Sequence, residues 1–173
     1  MSGAAPQLRL PVGVVVERRK AASPWIDAVW RPMAVLAGLP DAAPWTPLAA
    51  TADSASFYAG AAEVALYRSE ADHYRQNLAS DVPLLWVAIE ATQGEPPYAV
   101  AAVTADPAEG ESLTEPGQAI VEAVPMPPAL RDAIAAFVAA LPPAPAFEKR
   151  QRERADPEAL ARRVPPPGDG HGR

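Results

Sequence analysis

Apolar and polar positions alternate along much of the first two thirds of this chain, the two-residue period of strands that bury one face. Residues 8–19 (LRLPVGVVVERR) predict a first strand with Val12, Val14 and Val16 on one face. Gly13 within it predicts a bulge or a close approach by another backbone. Residues 26–37 (IDAVWRPMAVLA) predict a second strand. Ile26, Ala28, Trp30, Ala34 and Leu36 would share one face, with Asp27, Val29, Arg31, Met33 and Val35 on the other. Pro32 cannot donate to a ladder, so it suits an edge or a bulge. A short strand fits around 45–51. A longer one fits 57–68 (FYAGAAEVALYR), where Val64 and Leu66 alternate with Glu63 and Tyr67. Residues 83–91 and 98–105 predict a pair of strands joined by TQGEPP, a compact hairpin loop, and 118–124 (QAIVEAV) a last strand.

Twice the period changes. Ser69 and Asp72 resemble a capping box, and Ala71, Tyr74 and Leu78 then fall on one helical face, predicting a short helix over about 70–79. Pro127 and Pro128 precede a stripe of Leu130, Ile134, Phe137, Val138 and Leu141, predicting a helix over 128–141. Between the last two strands, 106–117 reads as an acidic loop bearing Gly and Pro. Few aromatics are available (6%), so the core is expected to rest on Trp25, Trp30, Trp45, Phe57, Tyr58, Trp86 and Phe137. The fold class this predicts is α+β, a largely antiparallel sheet or half-open barrel with two packed helices.

The last 32 residues differ in kind. A Pro-rich linker begins at 142, Phe147 stands alone as a large apolar residue, and EKRQRER follows. Asp156 and Pro157 make an N-cap and first-turn pair for a short helix, PEALARR, ahead of a Pro/Gly end. The expected organisation is thus a disordered start at 1–7, one α+β domain at 8–141, and a linker with a charged, partly helical tail at 142–173. Charge follows the same division. Residues 1–147 hold 8 Lys/Arg against 16 Asp/Glu, whereas 148–173 hold 7 against 5. An acidic body argues against nucleic-acid binding, which needs a basic face. No membrane span is expected, since no apolar run approaches the length needed. The apolar stretch 8–16 is too short for a secretory leader and is followed, not preceded, by Arg18, Arg19 and Lys20. With no cysteine present, a cytoplasmic location is expected.

The absence of cysteine also removes thiol nucleophiles and thiolate metal sites, and two histidines leave a multi-histidine centre almost no ligands. No phosphate-binding glycine loop and no nucleophile elbow is found. His73 could serve as a general base only with an orienting carboxylate and a substrate group nearby; a half-buried helix histidine is the commoner state. Asp106, Glu109 and Glu111 could wrap a hard cation, although their spacing matches no EF-hand and a solvated acidic loop accounts for them. No catalytic residue, cofactor or metal is therefore expected.

Two segments stand out as binding surfaces. ERRKAASPWIDAVWRP (17–32) would serve as a hairpin with Trp25 and Trp30 in the core. Alternatively it is a recognition edge where Arg18, Arg19, Trp25, Asp27, Trp30 and Arg31 meet a protein partner, Trp and Arg being the types that dominate interface energetics. The tail would serve as a solvated helical extension, or as a docking peptide with Phe147 and Leu160 as anchors and Lys149, Arg150, Arg152 and Arg154 as charge contacts.

These segments, with FYAGAAEVALYRSEADHYRQNLAS, PLLWVAIEA, PPYAVAAVTADPAEGE, VEAVPMPP and KRQRERADPEALARR, resemble an uncharacterised bacterial family, domain of unknown function 3305, over about residues 12–163. The resemblance implies a setting beside molybdenum-dependent formate dehydrogenase subunits and their maturation factors. It carries no catalytic residues. The expectation that follows is a non-catalytic accessory protein binding a protein partner in maturation or assembly of such a molybdoenzyme. The alternative is a nucleotide- or pterin-handling enzyme of molybdopterin-guanine dinucleotide biosynthesis. For that alternative, the glycine-rich phosphate loop is missing after the first strand, which runs instead into ERRKAASPW.

Overall fold

The alternating segments form seven strands in two antiparallel sheets, as seen in a computed structural model that describes residues 5–114, 117 and 119–142. The first sheet contains β1 (Leu8–Lys20), β2 (Ala28–Ala37), β3 (Thr46–Ala50) and β4 (Ser54–Leu66), in the order β2-β1-β4-β3. The second contains β5 (Leu84–Ala91), β6 (Tyr98–Thr104) and β7 (Ala119–Pro125), in the order β6-β5-β7. β4 lies beside β6, and β2 beside β7, with no ladder joining either pair. Six strands thus wrap the core and leave two seams open, an α+β architecture whose sheets do not close.

Three helices complete the described residues: α1 (Ala71–Leu78), α2 (Pro107–Leu113) and α3 (Pro128–Ala139), with a 3-10 turn at Arg68–Glu70. The interior is aliphatic. Val12, Val14, Val16, Val64, Leu66, Leu85, Val87, Ile89 and Ile134 are fully buried, and Tyr74 and Tyr58 are the aromatics buried with them among the described residues. Leu130, Ile134 and Val138 form the buried stripe of α3, and Phe137 beside them meets the Tyr74 ring of α1 edge-on at 6.3 Å.

Several sequence expectations change. Residues 106–117 are not simply an acidic loop: Asp106 accepts from the Ala108 N–H and Pro107 follows it, so the pair starts α2. Among the described residues the body helices are three, not two. Ser69 does not cap α1; the chain enters through the 3-10 turn, Glu70 takes the cap position, and no side chain caps it. The second strand does not keep one alternation. Val16 faces Pro32 and Val15 faces Ala34, so Met33 is the extra residue of a bulge and Val35, not Leu36, turns into the core. Trp25 is outside the core, 91% exposed. Trp86 is not in the central core but packs against Gly110 of α2. Gly13 does face a close approach, from the Tyr58 side chain and not from backbone: a Cβ there would lie 2.9 Å from that ring.

Candidate functional site

The β1–β2 hairpin carries the six body residues expected at a recognition edge, and alternation divides them between two faces. Arg18 and Trp30 are cross-strand partners, and the Arg18 guanidinium lies 5.9 Å from the Trp30 ring centre. Trp30 is half-buried among other rings. It stacks on Phe57 at 6.0 Å, meets Trp45 edge-on at 5.8 Å, and reaches Tyr98 of the second sheet at 5.9 Å. Two open clefts meet here, one of about 500 Å³ bordered by Lys20 and Asp53, the other of about 370 Å³ bordered by Trp30, Glu95 and Tyr98. Arg18 and Asp27 border both. Arg18 makes no ion pair among the described residues.

Arg19 and Arg31 sit on the other face with a residue that sequence reasoning passed over. Glu17 is buried, and its two carboxylate oxygens accept from Arg31 Nε at 2.8 Å and Arg19 Nη2 at 3.1 Å. Hydrogen bonds from Arg31, then Arg19, hold the Glu17 carboxyl below its ordinary range against the opposing effect of burial. The register explains the grouping, because Glu17 pairs with Arg31 across the β1–β2 ladder. The two arginines are therefore first of all partners of a buried charge. Apolar side chains lie exposed on the same hairpin: Trp25, Ile26, Val29 and Met33.

His73 has acquired the orienting carboxylate it would need. Its Nδ1 lies 2.9 Å and 3.0 Å from the Asp106 oxygens and 3.2 Å from Glu70 Oε2. The hydrogen bond to Asp106 raises the His73 pKa above the ordinary imidazole value; partial burial opposes this, and the charges of Asp106, Glu70 and Asp72 assist it. Among the described residues the imidazole's side-chain partners are these carboxylates, and no hydroxyl is hydrogen-bonded to it. Nearby groups are structural. Asn77 donates to the Leu84 and Ala105 carbonyls and accepts from the Leu84 N–H, fixing α1 to the start of β5 and the end of β6. Thr104 Oγ1 accepts the Asp106 N–H and donates to Glu109. Burial pushes the Tyr74 hydroxyl up to about 12, and that hydroxyl accepts the Tyr67 N–H.

Asp106, Glu109 and Glu111 do not converge on one point. The first caps α2, the second accepts from Thr104, and the third contributes its carbonyl to Thr114. Phe147, Arg150, Arg152 and Arg154 lie outside the described residues. Among the described residues no helix is long and apolar enough to cross a membrane.

No curated protein and no solved structure matches the chain. One family model does, that described as "Protein of unknown function (DUF3305)", over residues 11–152. That match spans all seven strands and three helices apart from the first residues of β1, so the chain belongs to the DUF3305 family.

Proposed function

We propose that this protein is a non-catalytic accessory protein that docks on another protein through its β1–β2 hairpin. One observation carries the reading: four large apolar side chains, Trp25, Ile26, Val29 and Met33, are each about half exposed or more within a stretch of nine residues. Nothing in the folding of the domain calls for them outside. Scattered exposed apolar groups are ordinary, but a run of them on one hairpin beside arginines has the composition of an interface. The clefts at Arg18 are open, and the Thr51 and Ser54 hydroxyls that border the larger one are hydrogen-bonded to each other and not to a general base, which fits binding better than turnover.

The first partner to test is a subunit or maturation factor of a molybdenum-dependent formate dehydrogenase, the setting that the family resemblance implies. Co-purification with those subunits is expected for the wild-type chain and is expected to fall several-fold for Trp25→Ala and Met33→Ser. Both positions are half exposed or more, so melting temperatures should stay near wild type. Equal recovery from wild type and variants would overturn the docking surface. A melting-temperature rise with GTP, CTP or molybdopterin would favour the cofactor-handling alternative, since a ligand at a hundred times its Kd stabilises by about 2.7 kcal/mol.

A further inference from the structure

We propose that Glu70, His73 and Asp106 form a binding site for a single divalent transition-metal ion of the zinc type, tying the start of α1 to the start of α2. One nitrogen and two carboxylate oxygens, one atom from each residue, lie within 4.8 Å of one another. They come from separate places in the chain: Glu70 at the cap of α1, His73 one turn later, and Asp106 at the cap of α2. The separations of Nδ1 from Asp106 Oδ2 and Glu70 Oε2, 3.0 Å and 3.2 Å, are close to what an ion demands. Ligands ~2.0–2.1 Å from a tetrahedral zinc stand ~3.3 Å apart, so shifts of a few tenths of an ångström would admit it.

The mixed donor set decides the class of ion. Calcium and magnesium prefer sites built from oxygen alone, whereas imidazole with carboxylate suits zinc and its neighbours. Support from behind is already in place. Asp106 is buried, its Oδ1 accepts from the Ala108 N–H at 2.8 Å, and its own N–H is held by Thr104, which fixes the carboxylate and leaves Oδ2 available. His73 and Glu70 are 41% and 36% exposed at their side chains, so the ion has a way in and water can complete its coordination. The neutral imidazole is the ligand; the proton that Nδ1 shares with Asp106 leaves as the ion enters. This site shares no residue with the β1–β2 hairpin and stands or falls independently of the docking reading.

The test uses the full chain without an affinity tag and with His171→Ala, so that His73 is the only histidine left. Titration with Zn²⁺ by calorimetry is expected to give one ion per chain, and Co²⁺ is expected to give the visible absorption of a four-coordinate site. His73→Gln keeps an amide able to donate to Asp106, and Glu70→Gln leaves the α2 cap untouched. Each should weaken Zn²⁺ binding by about tenfold or more. A wild-type chain that takes up no Zn²⁺ would overturn the site. So would binding that is equally tight in either variant, with circular dichroism showing all chains folded.

Discussion

Glu17 shows what one residue can reveal that its neighbours conceal. In the sequence it is one acid ahead of three cations, and the cations draw attention. In the fold it is the buried member of the group, and Arg19 and Arg31 reach it from their exposed positions. Removing Arg31 leaves a buried carboxylate with one partner. Because both arginines are about half exposed, water and salt take up part of the loss, and Arg31→Met is expected to cost about 1–2 kcal/mol in urea unfolding. The pH dependence has a definite sign. The folded carboxyl titrates below its ordinary value, so its stabilisation is complete above the ordinary range and is lost as pH falls through the lowered folded value. Melting temperatures of wild type and Glu17→Gln should therefore differ by a constant amount at neutral pH and converge in acid. A gap that widened in acid would contradict the assignment. The pairing was legible only in part: strand register brings residues 14 apart together, and no local pattern announces it. The meeting of His73 with Asp106, 33 residues away, had no sequence signal at all.

At the scale of elements, the strands were legible because their alternation is long and one-sided. Departures arise where backbone chemistry overrides the pattern. Pro32 has no N–H for the ladder, Met33 bulges, and the faces exchange, so an alternation counted straight through the proline misplaces Val35. Helix α2 was missed because acidic composition outweighed its start signal, although Asp106 and Pro107 carry the same cap and first-turn pair read at Asp156 and Pro157. This short helix contains Gly110, where propensity and packing make opposite demands. Alanine in a helix interior is favoured over glycine by about 1 kcal/mol. Here, however, an added Cβ would overlap the base of the Trp86 ring, at Cγ and both Cδ atoms, which cannot move without shifting the β5 side chain as a whole. Overpacking costs typically about 1–3 kcal/mol, so packing wins. Gly110→Ala is expected to lower stability in urea unfolding, and Gly110→Ala with Trp86→Leu to recover most of the loss. A stabilised single variant would show that Trp86 does not hold α2 in place.

At the scale of the whole molecule, the described buried apolar residues run from Val12 to Val138, and the first compact unit ends at Pro143. The last described ties are those of Arg75, which donates through Nη2 to the carbonyls of Val138 and Leu141 and so satisfies the end of α3. A chain ending at Pro143 keeps all of these groups and should melt within a few degrees of the full-length protein. That expectation makes it possible to separate two contributions to partner binding. The body carries the exposed apolar hairpin, whose contribution should change little with salt. The tail carries Arg150, Arg152 and Arg154, whose contacts with an acidic surface would weaken as added salt shortens the ~10 Å screening length found at 0.1 M. If both take part, truncation should lower affinity at low salt and flatten its salt dependence, and Arg150→Ala with Arg152→Ala and Arg154→Ala should reproduce that flattening in the full chain. Trp25→Ala should instead lower affinity by the same factor at every salt concentration. A truncated chain whose affinity matches the full-length protein throughout the salt range would remove the tail from the interface and leave the hairpin to act alone.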